Sequence, residues 1–371
     1  MAVPHTWRGA RPTLLVIVLT ACLDTRAPVT LGEAPEPPGR AVQAYTGGLR
    51  AGAPIVAAVG TWKIVQAADF NGDGLADALW TDPRTGAIAV WLLRGTQLLE
   101  AGPVIPGLAG SGWAPITAAD FSLDGMADVS WFDATSPHLA IWLMRATHVA
   151  EPGAPIPGPR GAGWAAVMAG DCNGDGMADV LWYNARESRF SVWLSGGTGV
   201  FEPGPEIPGP AGEGWVVPTI GDFNDDGMGD ILWFNALTGR ISIWLMHGTS
   251  VLEPGPEIPG PSRLRPPTSG SGWVAVTGAD FNGDGMVDVI WNDADANRMA
   301  IWLMQGTHVL ESGAEIVGPP GAGWSVGSAG DTDGDGMADA LWQNIAASKL
   351  AIWTMSGTHV VEPGPLIPGP P

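Results

Sequence analysis

The stretch Asp69-Phe70-Asn71-Gly72-Asp73-Gly74-Leu75-Ala76-Asp77 decides the fold of this 371-residue chain, because it returns five more times. The later copies begin at Asp120, Asp171, Asp222, Asp280 and Asp331, at steps of 51, 51, 51, 58 and 51 residues. Each copy has an oxygen-bearing side chain at positions 1, 3, 5 and 9 and Gly at position 6. The chain is therefore a tandem array of six units.

Alternating oxygen side chains around a glycine bend are typical of a loop that binds a hard cation. Calcium takes about six to eight oxygen ligands, and alternate residues of a tight loop can point inward together. We therefore predict up to six Ca²⁺ ions, one per repeat, at positions 1, 3, 5, 7 and 9. These positions are Asp69, Asn71, Asp73, Leu75, Asp77, Asp120, Ser122, Asp124, Met126, Asp128, Asp171, Asn173, Asp175, Met177, Asp179, Asp222, Asn224, Asp226, Met228, Asp230, Asp280, Asn282, Asp284, Met286, Asp288, Asp331, Asp333, Asp335, Met337 and Asp339.

Two other interpretations of the loops are weaker. An EF-hand needs a Glu at loop position 12, and that position is Trp in all six copies, from Trp80 to Trp342. A plain Asp/Asn/Gly turn without metal stays open for any single copy. Across six copies, however, three or four acids crowd within nine residues and would repel one another without a cation. The second copy has Ser122 and Leu123 where the first has Asn and Gly, and we expect it to bind calcium most weakly.

The formal net charge of −21 comes largely from these loops. Positions 1, 3, 5 and 9 hold 19 of the 38 acidic residues, and the twelve positive charges of six calcium ions would leave a net charge of −9. A negative protein is a poor candidate for nucleic-acid binding. Cys22 and Cys172 are the two cysteines, so there is no disulfide framework. Cys172 takes the place of a Phe of other copies and is predicted to be a small buried hydrophobe.

Residues 1–22 are predicted to be an export signal. Arg8 and Arg11 precede the short apolar run 14–19, which is too short to span a bilayer. The run ends in Leu19-Thr20-Ala21-Cys22, which resembles the lipobox of bacterial lipoproteins and implies lipidation at Cys22. The alternative is an ordinary signal peptide with an incidental Cys. Residues 23–41 are rich in Pro, Gly and Ala and are predicted to form a tether. The signal and Cys22 together predict a location in the bacterial cell envelope, as an outer membrane lipoprotein or at the cell surface.

Each unit reads as four short β segments separated by Gly, Pro, Asn and Asp turns. A repeat of about 50 residues with four antiparallel strands is typical of a β-propeller blade. Apolar runs without alternation, such as Val192-Trp193-Leu194, fit a blade that packs both faces against neighbours. Residues 42–371 are therefore predicted to be an all-β propeller of six blades, with seven less favoured. Residues 42–55 resemble a surplus fourth strand that would close the ring or be left over.

Three tryptophans recur in each unit, as at Trp62, Trp80 and Trp91 in the first. The six units account for 18 of the 19 tryptophans in the chain. Large aromatic side chains at fixed blade positions indicate core packing. The alternative, stacking on a ligand, is less favoured.

The unit resembles the bacterial FG-GAP/VCBS-type repeat. The fourth copy shows all the elements, with the loop Asp222–Gly227, the strand Ile231-Leu232-Trp233 and the strand Ile243-Trp244-Leu245-Met246. The resemblance covers about residues 60–371. It implies a calcium-binding propeller of the kind found in integrin α-chain heads and some fungal lectins, and it fixes neither a ligand nor a reaction.

No residue pattern argues for catalysis. Gly323-Trp324-Ser325-Val326-Gly327 matches the G-x-S-x-G sequence pattern of a nucleophile elbow. That motif needs a strand-to-helix turn, whereas these residues open the first strand of a blade. His148, His308 and His359 share one repeat position and are interpreted as repeat consensus. The protein is therefore predicted not to be an enzyme.

Two function classes remain. The first is a binding or adhesion module for a glycan or protein partner, and the second is a structural or assembly role in the cell envelope with no small ligand. Seven extra residues, 262–268, break the period between the fourth and fifth units and carry Arg263 and Arg265. Arg suits carboxylate or sulfate groups. These two residues are the candidate ligand contacts, with a tolerated surface insertion as the alternative.

Overall fold

The structure, a computed structural model, describes residues 61–108, 112–197, 199–261 and 272–370. Within these ranges the regular elements are 29 β-strands and no helix, so no helix there is long and apolar enough to cross a membrane. The predicted signal with Cys22, the tether and the surplus strand at 42–55 lie outside the described residues, as do Arg263 and Arg265.

Six antiparallel sheets follow one another along the chain, and each is built from one repeat. Within every sheet the strands pair in sequence order, so that the first strand is at one edge and the fourth at the other. The first strands are Lys63–Ala68, Trp113–Ala119, Trp164–Gly170, Trp215–Gly221, Val274–Ala279 and Ser325–Gly330. The second strands are Asp77–Asp82, Asp128–Asp133, Asp179–Asn184, Asp230–Asn235, Asp288–Asp293 and Asp339–Asn344.

The two remaining strands of each sheet lie toward its outer edge. The third strands are Ala87–Arg94, His138–Arg145, Arg189–Ser195, Arg240–His247, Arg298–Gln305 and Lys349–Ser356. The fourth strands are Gln97–Ala101, His148–Pro152, Phe201–Pro203, Ser250–Pro254, His308–Ser312 and His359–Pro363. The second strands are almost wholly buried, whereas the fourth strands are mostly exposed.

The Pro-rich stretch after the fourth strand carries more structure than the sequence predicted. In five blades it forms a further two-residue strand that pairs with the start of the third strand: Ile156–Pro157, Ile207–Pro208, Ile258–Pro259, Ile316–Val317 and Ile367–Pro368. In the first blade a single bridge between Ile88 and Ile105 takes its place. Pro is tolerated here because an outer edge strand needs no donor on its solvent side.

The six sheets form a closed ring. Each first strand contacts the first strand of the preceding and the following blade, and the first strand of blade 1 also contacts that of blade 6. The prediction of a six-bladed, all-β propeller is therefore confirmed. Among the described residues every blade is one continuous segment, and blades 1 and 6 meet through contact between their first strands.

The hydrophobic core lies between the blades. Six clusters of buried residues each combine two neighbouring blades, including one that joins blade 6 to blade 1. At that last interface Trp62, Trp80 and Trp91 of blade 1 belong to the same cluster as Leu350 and Ile352 of blade 6. Burial of both faces explains why the strands are apolar without alternation.

The recurring tryptophans form the packing face of each blade, as predicted. The six second-strand tryptophans, from Trp80 to Trp342, are at most 1 % exposed. Each pairs with a third-strand tryptophan of its own blade at ring-centroid distances of 4.7–5.7 Å and tilts of 48–61°. Such tilted pairs are favourable for aromatic rings. The tryptophans therefore serve packing, and Cys172, with no exposed surface, is the small buried hydrophobe expected.

A Gly–Thr contact repeats at the rim of the ring. A β-carbon on Gly204 would lie 2.3 Å from the carbonyl oxygen of Val192 and 2.9 Å from Cβ of Thr249, which belongs to the next blade. The same arrangement joins Gly102 to Thr147, Gly255 to Thr307, Gly313 to Thr358 and, across the ring closure, Gly364 to Thr96. Only a residue without a side chain fits beneath the neighbouring Thr.

We expect the substitution Gly204→Ala to lower the free energy of unfolding by about 1–3 kcal/mol, because the added methyl overlaps a backbone oxygen that cannot move aside. Chemical denaturation of the two proteins measures the difference. Gly196→Ala is the matched control, since its nearest neighbour would be 3.5 Å away, an ordinary contact distance. Equal losses of stability in the two variants would contradict this packing argument.

Candidate metal-binding face

The six acidic loops lie on one face of the ring together with the turns between third and fourth strands. In the ring closure, the Gly95 N–H of such a turn donates to the Thr332 carbonyl oxygen at 2.6 Å. The turns between second and third strands lie on the other face with the links between blades, as shown by the 3.0 Å bond from Asn235 Nδ2 to the Glu213 carbonyl oxygen. The acidic loops and the turns between second and third strands therefore lie on opposite faces of the ring.

Position 1 organises the backbone of each loop. In the first copy, Asp69 Oδ1 accepts the Asn71 and Gly72 N–H groups at 3.1 and 2.7 Å, and Asp69 Oδ2 accepts that of Gly74 at 2.7 Å. Gly72 and Gly74 have φ values of 76° and 83°, a region that favours glycine. The loop therefore curls around the position-1 carboxylate.

Positions 3 and 5 form the exposed rim of the loop. Asn71 Oδ1 accepts the Asp73 N–H at 2.9 Å, and Asn71 Nδ2 donates to Asp73 Oδ2 at 3.1 Å. Asp73 Oδ1 in turn accepts the N–H of Leu75 at position 7. These side chains lie close together and face solvent, which is where a cation could reach them.

Position 9 is placed differently from the other predicted ligands. Asp77 is completely buried, and its two oxygens accept the N–H of Phe70 at 3.1 Å and of Leu93, in the third strand, at 2.9 Å. The five equivalents make the same two bonds: Asp128, Asp179, Asp230, Asp288 and Asp339. This carboxylate ties the loop to the blade, a role that the ligand pattern alone did not reveal.

Burial acts strongly on these position-9 carboxyl groups. It raises the pKa of Asp77, Asp230 and Asp288 to about 7 and that of Asp128, Asp179 and Asp339 to about 6. The backbone N–H bonds oppose the rise in pKa, and the nearby loop carboxylates add to it. A cation in the loop would favour the ionised form.

The sixth loop has the densest set of acids. Asp333 stands at position 3, where the other loops have Asn or Ser. One oxygen from each of Asp331, Asp333 and Asp335 lies within 4.8 Å of the others, and no other group of three or more possible ligands among His, Cys, Asp and Glu converges in this way within the described residues. Partial burial and the charges of Asp335 and Asp331 raise the pKa of Asp333.

Neighbouring loops contact one another around the whole face. The N–H at position 8 of each loop donates to the position-1 carbonyl oxygen of the preceding loop at 2.5–2.7 Å: Ala127 to Asp69, Ala178 to Asp120, Gly229 to Asp171, Val287 to Asp222, Ala338 to Asp280 and Ala76 to Asp331. The predicted position-7 residues add packing, because Met126 Cγ lies 3.5 Å from where a β-carbon of Gly72 would be. The six loops form one continuous collar.

Two loops depart from the glycine at position 4. Leu123 and Asp225 adopt φ values of 61°, which is strained for residues with a side chain. Leu123 is 55 % exposed on this face and packs toward Gly176 of the next loop. In that second loop Ser122 Oγ lies 3.5 Å from Asp120 Oδ1, so the shorter side chain stays beside position 1.

The donor chemistry of the loops fits calcium. Position 1 supplies a half-buried carboxylate, positions 3 and 5 supply carboxylate, amide or, at Ser122, hydroxyl oxygens, and the sixth loop brings three carboxylates together. Hard cations prefer such all-oxygen sets. Position 9, if it contributes, does so from a buried carboxylate whose oxygens already accept backbone N–H groups.

The candidate catalytic residues of the sequence analysis, Ser325 and the three recurring histidines, lie outside these loops. Ser325 begins a first strand and is buried, with no helix following it, so the nucleophile-elbow geometry is absent. His148, His308 and His359 each open a fourth strand on the rim, and each ring lies beside the Thr that precedes it. The repeat thus accounts for their placement.

The FG-GAP-like repeat matches residues 69–131, 123–182, 171–233, 222–291 and 280–342, which together span most of the chain. No curated protein matches the sequence. Its fold is similar to that of a protein from Lactobacillus plantarum, at 12 % identity and a TM-score of 0.52, covering 82 % of this chain and 85 % of that one. A virginiamycin B lyase from Staphylococcus aureus is similar at 13 % identity and a TM-score of 0.49, covering 82 % and 84 % of the two chains.

A third similarity is to the Tc holotoxin pore of Photorhabdus luminescens, at 18 % identity and a TM-score of 0.47. It covers 83 % of this chain and 14 % of that one. At such identities the similarities concern the fold alone and carry no activity from one protein to another.

Proposed function

Because the chain belongs to the FG-GAP-like repeat family, we propose that it is a calcium-stabilised β-propeller of the bacterial cell envelope that binds a glycan or protein partner. The observation that carries the calcium part is the collar of six acidic loops on one face. A supporting detail is the sixth loop, where three carboxylates converge and none of them takes part in an ion pair with a Lys or Arg of the described residues.

Calcium would stabilise the folded ring by mass action, because an unfolded loop has no collected set of oxygen ligands. The loops also accept the hydrogen bonds that join one blade to the next. Fixing the loops therefore supports the contacts between blades.

We expect calcium to raise the melting temperature and a chelator to lower it. Asp175→Ala should weaken calcium binding in titration calorimetry by more than Ser122→Ala does, because the first change removes a charged oxygen ligand and the second removes a neutral one. Asp175 is exposed and Ser122 is half-buried in its loop, and neither belongs to a hydrophobic core cluster, so neither substitution disturbs the core.

Equal melting temperatures with calcium and with chelator would contradict calcium binding. The opposite order of the two variants would leave calcium binding in place and contradict the ranking of the loops.

The binding part of the proposal rests on the face opposite the collar. The turns between second and third strands differ in every blade, from Arg186-Glu187-Ser188 to Ile345-Ala346-Ala347-Ser348, while the strands beneath them repeat. Variable loops on a fixed scaffold are where recognition usually lies. The insertion 262–268, with Arg263 and Arg265, lies in the sequence between the fourth and fifth repeats and outside the described residues. Two cations in a chain of net charge −21 would suit carboxylate or sulfate groups of an acidic glycan.

We expect a variant lacking 262–268 to keep the melting temperature and calcium affinity of the parent and to lose binding to acidic polysaccharides on a glycan array. Arg263→Lys with Arg265→Lys is the matched control, since it keeps the positive charges and removes the planar guanidinium groups that bind oxyanions through two N–H groups. If the deletion binds every array ligand as the parent does, the insertion is a spacer. An array without any ligand would favour the structural role in the envelope.

Export and anchoring complete the proposal. We expect Cys22→Ser to release the protein from the membrane fraction or to leave its signal uncleaved, because lipid chains at this residue would supply the anchor. Fractionation of cells that express each form measures this. A processed Cys22→Ser protein that still sediments with membranes would contradict the lipid anchor.

A further inference from the structure

Blade 3 carries two exposed arginines on the face opposite the collar. Arg160 lies in the link between blades 2 and 3, and Arg186 lies in the turn between the second and third strands of blade 3. Neither makes an ion pair within the described residues. By contrast, the arginines that open third strands are paired with acids at the blade edge: Arg189 with Glu206, Arg240 with Glu257 and Arg298 with Glu315. A ligand anion at Arg160 and Arg186 would therefore not have to displace an internal acid.

Asn184 joins the link to the turn. Its Nδ2 donates to the Ala162 carbonyl oxygen at 3.3 Å, two residues after Arg160. Its Oδ1 accepts the N–H groups of Arg186 and Glu187 at 3.2 and 3.3 Å. Asn184 itself is buried. One buried side chain thus fixes the backbone beside both arginines.

The turn is held at its far end as well. Ser188 Oγ donates to the Pro210 carbonyl oxygen at 2.8 Å, and the Gly209 N–H donates to the Ser188 carbonyl oxygen at 2.7 Å. The turn is therefore bonded to the link before it and to the link after it. A site whose backbone is already ordered loses less conformational entropy when it binds a ligand.

The same scaffold recurs in two other blades without the arginines. Asn235 and Asn344 take the place of Asn184 and donate to link carbonyl oxygens at 3.0 and 2.9 Å. The residues that correspond to Arg160 and Arg186 are Ala211 and Leu237 in blade 4 and Pro320 and Ala346 in blade 6. Three blades thus share the scaffold, and blade 3 alone among them places arginine at both positions.

An extended anionic chain suits this surface better than a flat anionic membrane. Two exposed acids flank the arginines, Glu187 in the turn and Glu213 in the next link. A flat surface would meet these acids together with the arginines, whereas a narrow chain can cross the link and the turn and avoid them. Guanidinium groups bind carboxylate and sulfate oxygens through paired N–H groups.

We propose that Arg160 and Arg186, on the scaffold held by Asn184, form an oxyanion-binding site for an acidic polysaccharide. The two guanidinium groups bind carboxylate or sulfate groups of the polymer. The inference rests on the proposed glycan binding and adds to it a site within the described residues, separate from the insertion 262–268.

Titration calorimetry of the full chain tests the site, with polygalacturonate as a carboxylate polymer and heparin as a sulfated one, at about 100 mM salt. We expect Arg160→Gln with Arg186→Gln to weaken binding to at least one polymer by about tenfold, because charge-assisted hydrogen bonds are lost. The melting temperature should equal that of the parent, since both side chains are exposed. Arg94→Gln with Arg145→Gln is the matched control, because it removes the same charge from exposed third-strand ends on the collar side and should bind as the parent does.

Blade 6 allows the converse test. Pro320→Arg with Ala346→Arg puts the same pair on the equivalent scaffold, where neither the link 319–323 nor the turn 344–348 contains an acid. Both positions are exposed. Added to the blade 3 variant, this pair should restore most of the lost affinity.

The outcomes separate this site from the proposed function. If the blade 3 variant binds both polymers as the parent does, or if the collar-side control loses as much affinity, the site is wrong and glycan binding stands. A blade 6 pair that restores no affinity would contradict the role given to the scaffold. If the parent binds neither polymer, the acidic-glycan part of the proposed function is wrong, and this site with it. Binding of the parent to vesicles of anionic phospholipid and to neither polysaccharide would overturn both in the same way.

Discussion

A carboxylate buried at the end of each loop accepts N–H groups from two separate parts of its blade. Asp77 holds the second residue of its loop and the end of the third strand at once, and five equivalent residues do the same. A buried carboxylate with both oxygens bonded is costly to leave unpaired. The loop therefore cannot move without disturbing the sheet, and the acidic face is rigidly coupled to the core beneath it.

The second constraint is that a blade has no interior of its own. Each sheet is one layer thick, and its apolar surface is covered only by the blades on either side. The tryptophan face of one blade meets a face of the preceding blade that is built from aliphatic side chains and, in several blades, from Phe or Tyr, so the two faces are not interchangeable. Closure of the ring thus covers the last two open faces, which explains why the interface of blades 1 and 6 has a core like that of the other five.

Much of this architecture could be predicted from the sequence because the same acidic loop, tryptophans and apolar strand segments occur six times. Strand order, blade number and the buried tryptophans all follow from features that recur at one spacing. The further strand in the Pro-rich stretch could not be predicted, because two residues such as Ile207–Pro208 give no periodicity. The role of Asp77 was also hidden, since a carboxylate that accepts backbone N–H groups and one that faces a cation look the same in sequence. Which loop carries converging acids depends on side-chain placement around Asp333, which spacing alone does not give.

The glycine that lies under a neighbour's threonine has a consequence for how such a ring can grow. Gly204 is constrained by Thr249 of the next repeat, so whether a substitution in one repeat is tolerated depends on the sequence of the next. Duplication of a whole unit avoids this difficulty, because the new blade brings both its own Thr and its own Gly and fits between any two existing blades. Insertion of half a unit would leave one Thr without a Gly beneath it in the preceding blade. The contact therefore makes the complete repeat the smallest piece of sequence that can be gained or lost without a misfit.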